Sequence, residues 1–478
     1  MRDSFNDENI QRELQFIEGP VQEVEWCAPD GLSIDLAIAP TVYPPGEDTG
    51  ILCDSLSIFG EGNSRRLLEI GCGSGAVSIW AAMRGFNVHT CDINPIAVAA
   101  LRGRISELGM EGAIKVSEGG PGEGDGAWSG QGQYDLIIWN PPYLDPPKSG
   151  EPMLGPLEEA GMVDLDWRQG SGDLLLDEID RFNLLKDDGT VLIIRSSTTI
   201  GRHLGRQSTA RGWAHRTVEA ITFGDGEHLE VLAFWKPWSG RNIEHLTEGE
   251  SSNNILLDQG GNEGRCLQLS IQTKGKGQRG RIWESQEGDM LASWLVPMRS
   301  PGILQLVAGM AVWRAIDSLS EEALMKQNHW LKWPNDILTE RGKLSGTLVE
   351  ARSGTEHGMA VVGIGINLKP RTDSNIAHLD VKSQILIERI DAELSGFLEQ
   401  RIGCQVPNDE KLLRMAWKIL SLKLSEGAII SNSDLKGRPV GLDESGRLLV
   451  ENESGETIIC DTTFDSNWRF DFSSQDSP

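Results

Sequence analysis

LLEIGCGSG, residues Leu67 to Gly75, decides the fold of the first half of this chain: a short apolar run ends in glycines at 71, 73 and 75, and a helical pattern follows at once. Glycines Gly71, Gly73 and Gly75 let a backbone turn tightly from strand into helix and approach a bound nucleoside, and Glu69 can meet the ligand's polar groups. Many strand-to-helix turns share this feature, so its neighbours decide its meaning.

Working outward, NVHTCD (Asn87 to Asp92), DLIIWN (Asp135 to Asn140), TVLIIR (Thr190 to Arg195) and HLEVLAFW (His228 to Trp235) read as strands, and Ala76 to Met83 and Pro95 to Leu108 as helices. Alternating strands and helices predict an α/β domain with a parallel, Rossmann-like sheet, and Gly119 to Gly132 reads as a surface loop. Asp92 ends the second strand, where an acidic side chain accepts hydrogen bonds from ribose hydroxyls or caps the following helix with Asn94. Asn140-Pro141-Pro142-Tyr143 follows the strand DLIIWN, at the carboxyl edge where such sheets bind ligands. An amide nitrogen is a poor nucleophile because its lone pair is delocalised. The Asn140 side-chain oxygen and the Pro141 carbonyl can accept that nitrogen's hydrogens and aim it at a methyl donor, while Tyr143 can stack on the planar group.

Lys236 to Glu250 has no sustained period and places a domain boundary near Arg241. A second α/β unit follows, with a helix over Ile303 to Leu319 showing one apolar face, and strands at Gly346 to Glu350 and Met359 to Leu368. From about residue 426, short β runs around GLDESGRLLV suggest a small barrel. The expected domains are therefore 1–240, 241–425 and 426–478. Four ordered motifs occupy this half: Ser251-Ser252-Asn253 opening a helix; QTKGKGQRGRIW from Gln272 to Trp283; KWPND from Lys332 to Asp336; and GKLSG from Gly342 with GIGIN from Gly363 to Asn367. Together they suit activation of a carboxylate by ATP, in which two anions must meet and a flexible glycine loop carrying Arg279 and Arg281 neutralises both. Lys343 can bridge carboxylate and phosphate, and Asp336 can position a metal ion or an incoming amine.

Composition bounds the partners. Lys and Arg number 44 against 71 Asp and Glu, for a formal charge of -27, a field that repels polyanions and gives nucleic acid no general support. Seven scattered cysteines form neither a C-x-x-C pair nor a zinc cluster, and read as reduced thiols. The amino terminus has no signal pattern and no apolar run is long enough to span a bilayer, so a cytoplasmic, non-membrane protein is expected.

VYPPGEDT (Val42 to Thr49), LLEIGCGSG, CDINP and NPPY together resemble the HemK-type protein-(glutamine-N5) methyltransferases, closest to the archaeal and eukaryotic branch acting on the GGQ glutamine of peptide release factors. That resemblance, from about Gln22 to Trp235, implies S-adenosylmethionine as cofactor. It implies that Glu47, Asp48 and Thr49 line the cleft, that Glu69, Gly71, Gly73, Gly75 and Asp92 hold the cofactor, and that Asn140 to Tyr143 grip the glutamine amide. A release factor is the implied partner, and a small zinc-binding activator subunit, used by some members, is a compatible one. Adenine-N6 methyltransferases share NPPY and are the competing reading.

The second half, from about Asn242, resembles biotin protein ligase, which forms biotinyl-5′-AMP and passes biotin to a lysine of a carboxyl carrier protein. The tail is similar to that family's SH3-like barrel. The resemblance implies biotin, ATP and Mg2+ as ligands. Ser252, Asn253 and Gln272 would line the biotin pocket, and Gly275, Gly277, Arg279, Gly280, Arg281 and Trp283 would form the ligand-ordered loop. Lys343 would be the central lysine, Asp336 and Lys332 would assist transfer, Asn335 and Gly346 would complete the site, and Asn367 would contact the nucleotide or metal. The family's usual G-R-G-R-x-G-R carries Lys276 and Gln278 here, which removes one charge at 278. The methyltransferase occupies the place of the winged helix found in repressor members, so no DNA-binding role is expected. Ala323 to Lys326 is the nearest approach to an A-M-K-M acceptor and reads as a helix surface, so the carrier is expected in trans. Lipoate ligase, and a half that binds without catalysing, are the other readings.

Overall fold

The computed structural model describes residues 19–122, 124–130, 132–142, 171–196, 203–224, 226–319, 328–351, 358–373, 375–425, 429–431, 436–460 and 469–471. It resolves into two compact units, the first holding residues 1–208, 215–239 and 401–405, the second 209–214, 240–400 and 406–478. Tyr143, the side chain of Arg279 and the Ala323 to Lys326 stretch lie outside the described residues.

The first unit opens with an antiparallel pair, β1 (Gln22–Cys27) and β2 (Ser33–Ile38), and then helix α1 (Glu47–Ser57). Next come β3 (Arg66–Ile70), α2 (Ala76–Met83), β4 (Asn87–Asp92), α3 (Pro95–Glu107), β5 (Ile114–Glu118), β6 (Tyr134–Trp139), α4 (Ser171–Phe182), β7 (Leu185–Ser196), α5 (Leu204–Ala210), β8 (Ala214–Thr222) and β9 (His228–Trp235). The sheet order is β5-β4-β3-β6-β7-β9-β8. Strands β3 to β7 run parallel, and β9 is antiparallel to β7. Leu67, Leu68, Ile137, Ile138, Leu192 and Ile193 are all buried, because helices on both faces of a parallel sheet turn its strands into continuous apolar runs. After β3 the chain winds first toward β4 and β5, then returns to β6 on the other side of β3. The carboxyl ends of β3, β4 and β6 therefore meet at the switch point, where such sheets hold ligands.

The Gly119 to Gly132 stretch is not wholly a surface loop. Ala127–Ser129 forms one tight helical turn with Trp128 buried, and Tyr134 Oη donates to the Ser129 carbonyl at 2.5 Å. Glycine-rich flanks hid a single anchoring aromatic.

The second unit contains β10 (Glu244–Gly249), α6 (Ser252–Gln259), β11 (Cys266–Gln272), β12 (Met290–Pro297), α7 (Pro301–Asp317), β13 (His329–Lys332), β14 (Asp336–Thr339), β15 (Gly342–Glu350), β16 (Met359–Ile366), α8 (Ser383–Leu398) and α9 (Asp409–Leu424). Its sheet runs β10-β11-β12-β16-β15-β14-β13, antiparallel except for the β10–β11 pair. The residues read as a linker thus include a strand, β10. Its residues are exposed on both faces, so no alternation marked it. Helix α7 also departs from a one-faced pattern: Leu306, Met310 and Val312 are buried with the expected positions, because β15 lies against α7 as do α8 and α9. Beyond α9, β17 (Ile429–Ser431), β18 (Lys436–Leu442), β19 (Leu448–Asn452), β20 (Thr457–Cys460) and β21 (Arg469–Asp471) make a five-stranded antiparallel sheet. All seven cysteines are free thiols, and all but Cys27 are buried. Among the described residues no helix is long and apolar enough to cross a membrane.

Candidate active sites

In the first unit, the glycine turn after β3 is held against the end of β4. The amides of Gly71 and Cys72 both donate to the Cys91 carbonyl, at 2.9 and 3.0 Å, and the Gly73 amide donates to Asp92 Oδ2 at 2.8 Å. Gly75 caps α2 at φ 80°, and a Cβ there would lie 2.3 Å from Leu101 Cδ1, so both conformation and packing demand glycine. Asp92 serves two neighbours at once, since its Oδ1 accepts from the Asn94 amide at 2.8 Å. Asn94 in turn caps α3 through the Ile96 amide and donates to the Thr41 carbonyl at 3.1 Å, which ties the Val42 to Thr49 segment to this edge. Burial raises the Asp92 pKa against the backbone hydrogen bonds that lower it. Beside Asp92, Ile93 exposes an apolar side chain next to Gly120, a platform the sequence reading passed over. An isoleucine directly after a strand-ending acid was the available signal.

Glu69 points inward. It is buried, accepts a short hydrogen bond from Ser78 Oγ on α2, and desolvation pushes its carboxyl up to about 8. Its direct partner in this structure is therefore the helix that the glycine turn begins.

The NPPY segment meets α1. Asn140 Nδ2 donates to Asp48 Oδ2 at 2.7 Å, while Asp48 Oδ1 accepts from the Thr49 amide at 2.8 Å. Thr49 Oγ1 receives the Gly46 amide at 3.1 Å, closing the first turn of α1. A carboxylate only accepts, so Asp48 dictates that the Asn140 amide turns its NH2 inward. Asn140 Oδ1 is left buried with no hydrogen-bond partner among the described residues. Glu47 is exposed beside this pair, and Tyr43 is half-exposed, its phenol raised by partial burial and by the charges of Asp48 and Glu227.

In the second unit a cavity of about 240 Å³ opens over β15 and β16. It gathers Ser252, Asn253, Gln272, Gly277, Arg281, Trp283, Lys332, Asn335, Asp336, Lys343 and Gly346 of the expected set, together with Gln278. Gly275, Gly280 and Asn367 stand outside its lining. Leu348, Gly363 and Gly365 line it as well, although the sequence reading gave them no role of their own. Cross-strand pairing explains the glycines: Gly346 faces Gly365, and Gly363 faces Leu348, so the three glycines leave the sheet bare for other side chains to lie on it. The Trp283 ring occupies one bare patch, where a Cβ on Gly346 or Gly365 would come within 2.9 and 2.6 Å of it. Asn253 occupies the other, 2.1 Å from where a Gly363 Cβ would sit.

The glycine loop is a closed hairpin. Gly277 donates to the Arg281 carbonyl at 2.7 Å, Trp283 donates to the Gly275 carbonyl at 3.0 Å, and Gln278–Gly280 makes the tight turn. Lys276 Nζ reaches Asn254 Oδ1 at 3.2 Å. Lys343 Nζ lies 2.8 Å from Asp336 Oδ1 and 5.5 Å from the Trp283 ring centre. The KWPND turn is pinned from two sides, by Asn335 Nδ2 donating to the Thr347 carbonyl and by Trp333 Nε1 donating to the Gly446 carbonyl of the tail at 2.9 Å. Asn367 is engaged at both ends of its amide: Nδ2 donates to the Lys343 carbonyl at 3.2 Å, and Oδ1 accepts from Arg371, which also pairs with the buried Asp289. Asn367 thus acts on the backbone of Lys343.

A family model for the methyltransferase small domain matches residues 48–153, and one for the biotin/lipoate A/B protein ligase family matches residues 257–367. The first half is similar to a putative protein N5-glutamine methyltransferase of Methanocaldococcus jannaschii, 32% identical over 174 residues that cover 35% of this chain and 78% of that protein. The second half is similar to the bifunctional ligase/repressor BirA of Bacillus spizizenii, 28% identical over 231 residues, covering 44% of this chain and 68% of that protein. The chain is a methyltransferase fused to a biotin protein ligase. A biotin--[acetyl-CoA-carboxylase] ligase of Mycobacterium tuberculosis is 27% identical to the ligase half over 241 residues, 46% of this chain and 86% of that enzyme. Residues 48–153 include the Asp48–Asn140 pair, and residues 257–367 include the Lys343–Asp336 pair and Asn367, while Ser252 and Asn253 lie just before the second segment.

Proposed function

We propose that the first half methylates the side-chain amide of a protein glutamine, that of the GGQ tripeptide of a peptide release factor, and that the second half joins biotin to a lysine of a carboxyl carrier protein through an acyl-adenylate. The methylation reading is carried by Asn140, whose buried Oδ1, unpartnered among the described residues, is an acceptor waiting for an N–H. A primary amide has two hydrogens to give. Asn140 Oδ1 takes one and the Pro141 carbonyl the other, which orients the nitrogen without removing charge from elsewhere. Gly71, Gly73 and Asp92, with Ile93 exposed at the same edge, would hold the cofactor, which would supply the methyl group. Glu47 and Thr49 border the cleft, and stacking on the amide plane is the task the family resemblance assigns to Tyr143. The similarity to a putative N5-glutamine methyltransferase supports glutamine over adenine. Incubation of the full chain with labelled S-adenosylmethionine and release factor labels the native factor and spares a GGQ-to-GGA variant; label on both, or on neither, refutes the assignment.

For the ligase half, the polarity of two side chains favours biotin over lipoate. Gln272 Oε1 accepts from the Ser252 amide at 3.2 Å, so its NH2 is the end left to donate, and Ser252 Oγ lies 3.4 Å from the same Oε1. A donor and a hydroxyl side by side match the carbonyl and N–H of a cyclic urea, whereas a dithiolane offers neither. Lys343 and Arg281 neutralise the carboxylate and α-phosphate, and Arg279 is assigned the same task. Asp336, against Lys343, is the lining carboxylate able to meet Mg2+ arriving with ATP or the carrier amine, with Lys332 beside it. The tail from 426 is taken to close as an SH3-like barrel, and a small activator subunit is a partner worth seeking for the methyltransferase half. ATP-dependent transfer of labelled biotin to a carrier protein must disappear with Lys343→Ala, and competition by lipoate rather than biotin would reverse the assignment.

A further inference from the structure

Behind the cavity wall a chain of hydrogen bonds runs from Glu350, at the end of β15, to Ser252, at the pocket. Glu350 and Ser293 do not line the cavity. Asn253 Nδ2 lies 2.8 Å from Glu350 Oε2 and 3.4 Å from the Leu348 carbonyl, both acceptors, so this end of the amide is the NH2 and Oδ1 faces the other way. Ser293 Oγ, fully buried, is 2.6 Å from that Oδ1 and 2.7 Å from Ser252 Oγ. A hydroxyl owns one hydrogen. Ser293 must give it to Asn253 Oδ1, which cannot donate, and so turns a lone pair toward Ser252. Ser252 then spends its own hydrogen on Ser293, or on the more distant Gln272 Oε1 at 3.4 Å, and in either case shows lone pairs to the cavity.

We propose that Glu350 is a positioning residue that sets the hydrogen-bond polarity of the pocket, making Ser252 an acceptor for a ligand N–H. This rests on the ligase reading above. Reversing the first link reverses the last: a cation at 350 would call for Asn253 Oδ1, turn the NH2 toward Ser293, and free the Ser252 hydrogen to point at the ligand, donor against donor. Gly363 is part of the device, because a side chain there would overlap Asn253 Oδ1 and break the line.

Calorimetric titration of the full chain with biotin, and with cyclic-carbamate analogues in which one or other ureido N–H is a ring oxygen, tests the relay. The native protein should prefer biotin to one of the two carbamates by at least about tenfold. Glu350→Lys should weaken biotin by at least about tenfold and bring that preference close to unity, with Glu350→Gln between them and ATP binding unmoved. If Glu350→Lys does not fold by circular dichroism, the preference in Glu350→Leu, which offers Asn253 no acceptor, decides. A preference unchanged from native in the folded variants overturns the relay while leaving the biotin assignment standing. Absence of biotin binding by the native chain would instead overturn the ligase reading itself.

Discussion

Asp48 and Asn140, 92 positions apart in the chain, meet at 2.7 Å, and the carboxylate of the first decides which end of the second faces the cleft. Replacing Asp48 by Ala frees that amide to rotate. Methyl transfer should slow by roughly a hundredfold while S-adenosylmethionine binding, which the proposed function assigns to the ends of β3 and β4, stays near native. Parallel kcat and cofactor Kd measurements check this; a loss confined to cofactor affinity would place Asp48 in the nucleotide site instead.

Glu69 predicts a pH dependence of local stability. Its folded pKa of about 8 stands above the unfolded value of 4.5, so the folded state holds the extra proton between the two. Stability relative to a Glu69→Gln variant is therefore greatest at low pH and falls as pH rises from about 4.5 to about 8, by at most roughly 1.4 kcal/mol per unit, then levels off. Hydrogen exchange of the β3 amides in both proteins from pH 5 to 9 measures it.

Gln278 lines the ligase cavity on the tight turn of the glycine hairpin, where an arginine would add a cation facing the acyl-adenylate. Gln278→Arg should slow dissociation of biotinyl-5′-AMP by roughly tenfold through one added charge-assisted contact. Stopped-flow displacement reads the rate directly, and equal rates would dismiss a role for this position.

Thiol chemistry should separate Cys27 from its six fellows. Cys27 is exposed, whereas burial pushes the Cys53, Cys72 and Cys266 thiols upward and leaves little thiolate. Iodoacetamide on the native chain should label Cys27 first, with the remainder reacting only in denaturant, as peptide mass mapping would show.

The strands β3, β4 and β9 and helix α2 were legible within a residue or so because strands with buried faces carry closely spaced apolar residues and glycine punctuates them. Strand β10 was not, since an edge strand exposed on both faces carries no alternation. Trp128 was hidden among glycines for another reason: its turn is held by Tyr134 of β6 and His89 of β4, which bond the Ser129 and Trp128 carbonyls from other strands. Asn367 shows the limit of motif reading: the resemblance assigned it to the nucleotide or metal, whereas its place beside Lys343, with both ends of its amide taken by the protein, appears only in the structure.

By itself the sequence determined the two chemistries, because a glycine turn before a helix, NPPY, KWPND and a glycine-rich cationic loop are each local requirements of backbone shape and charge. Only the tertiary structure decided which way the polar groups face. Hydrogen-bond direction passes between residues far apart in the chain, from Asp48 to Asn140 and from Glu350 through Asn253 and Ser293 to Ser252, and no spacing in one strand or helix records it.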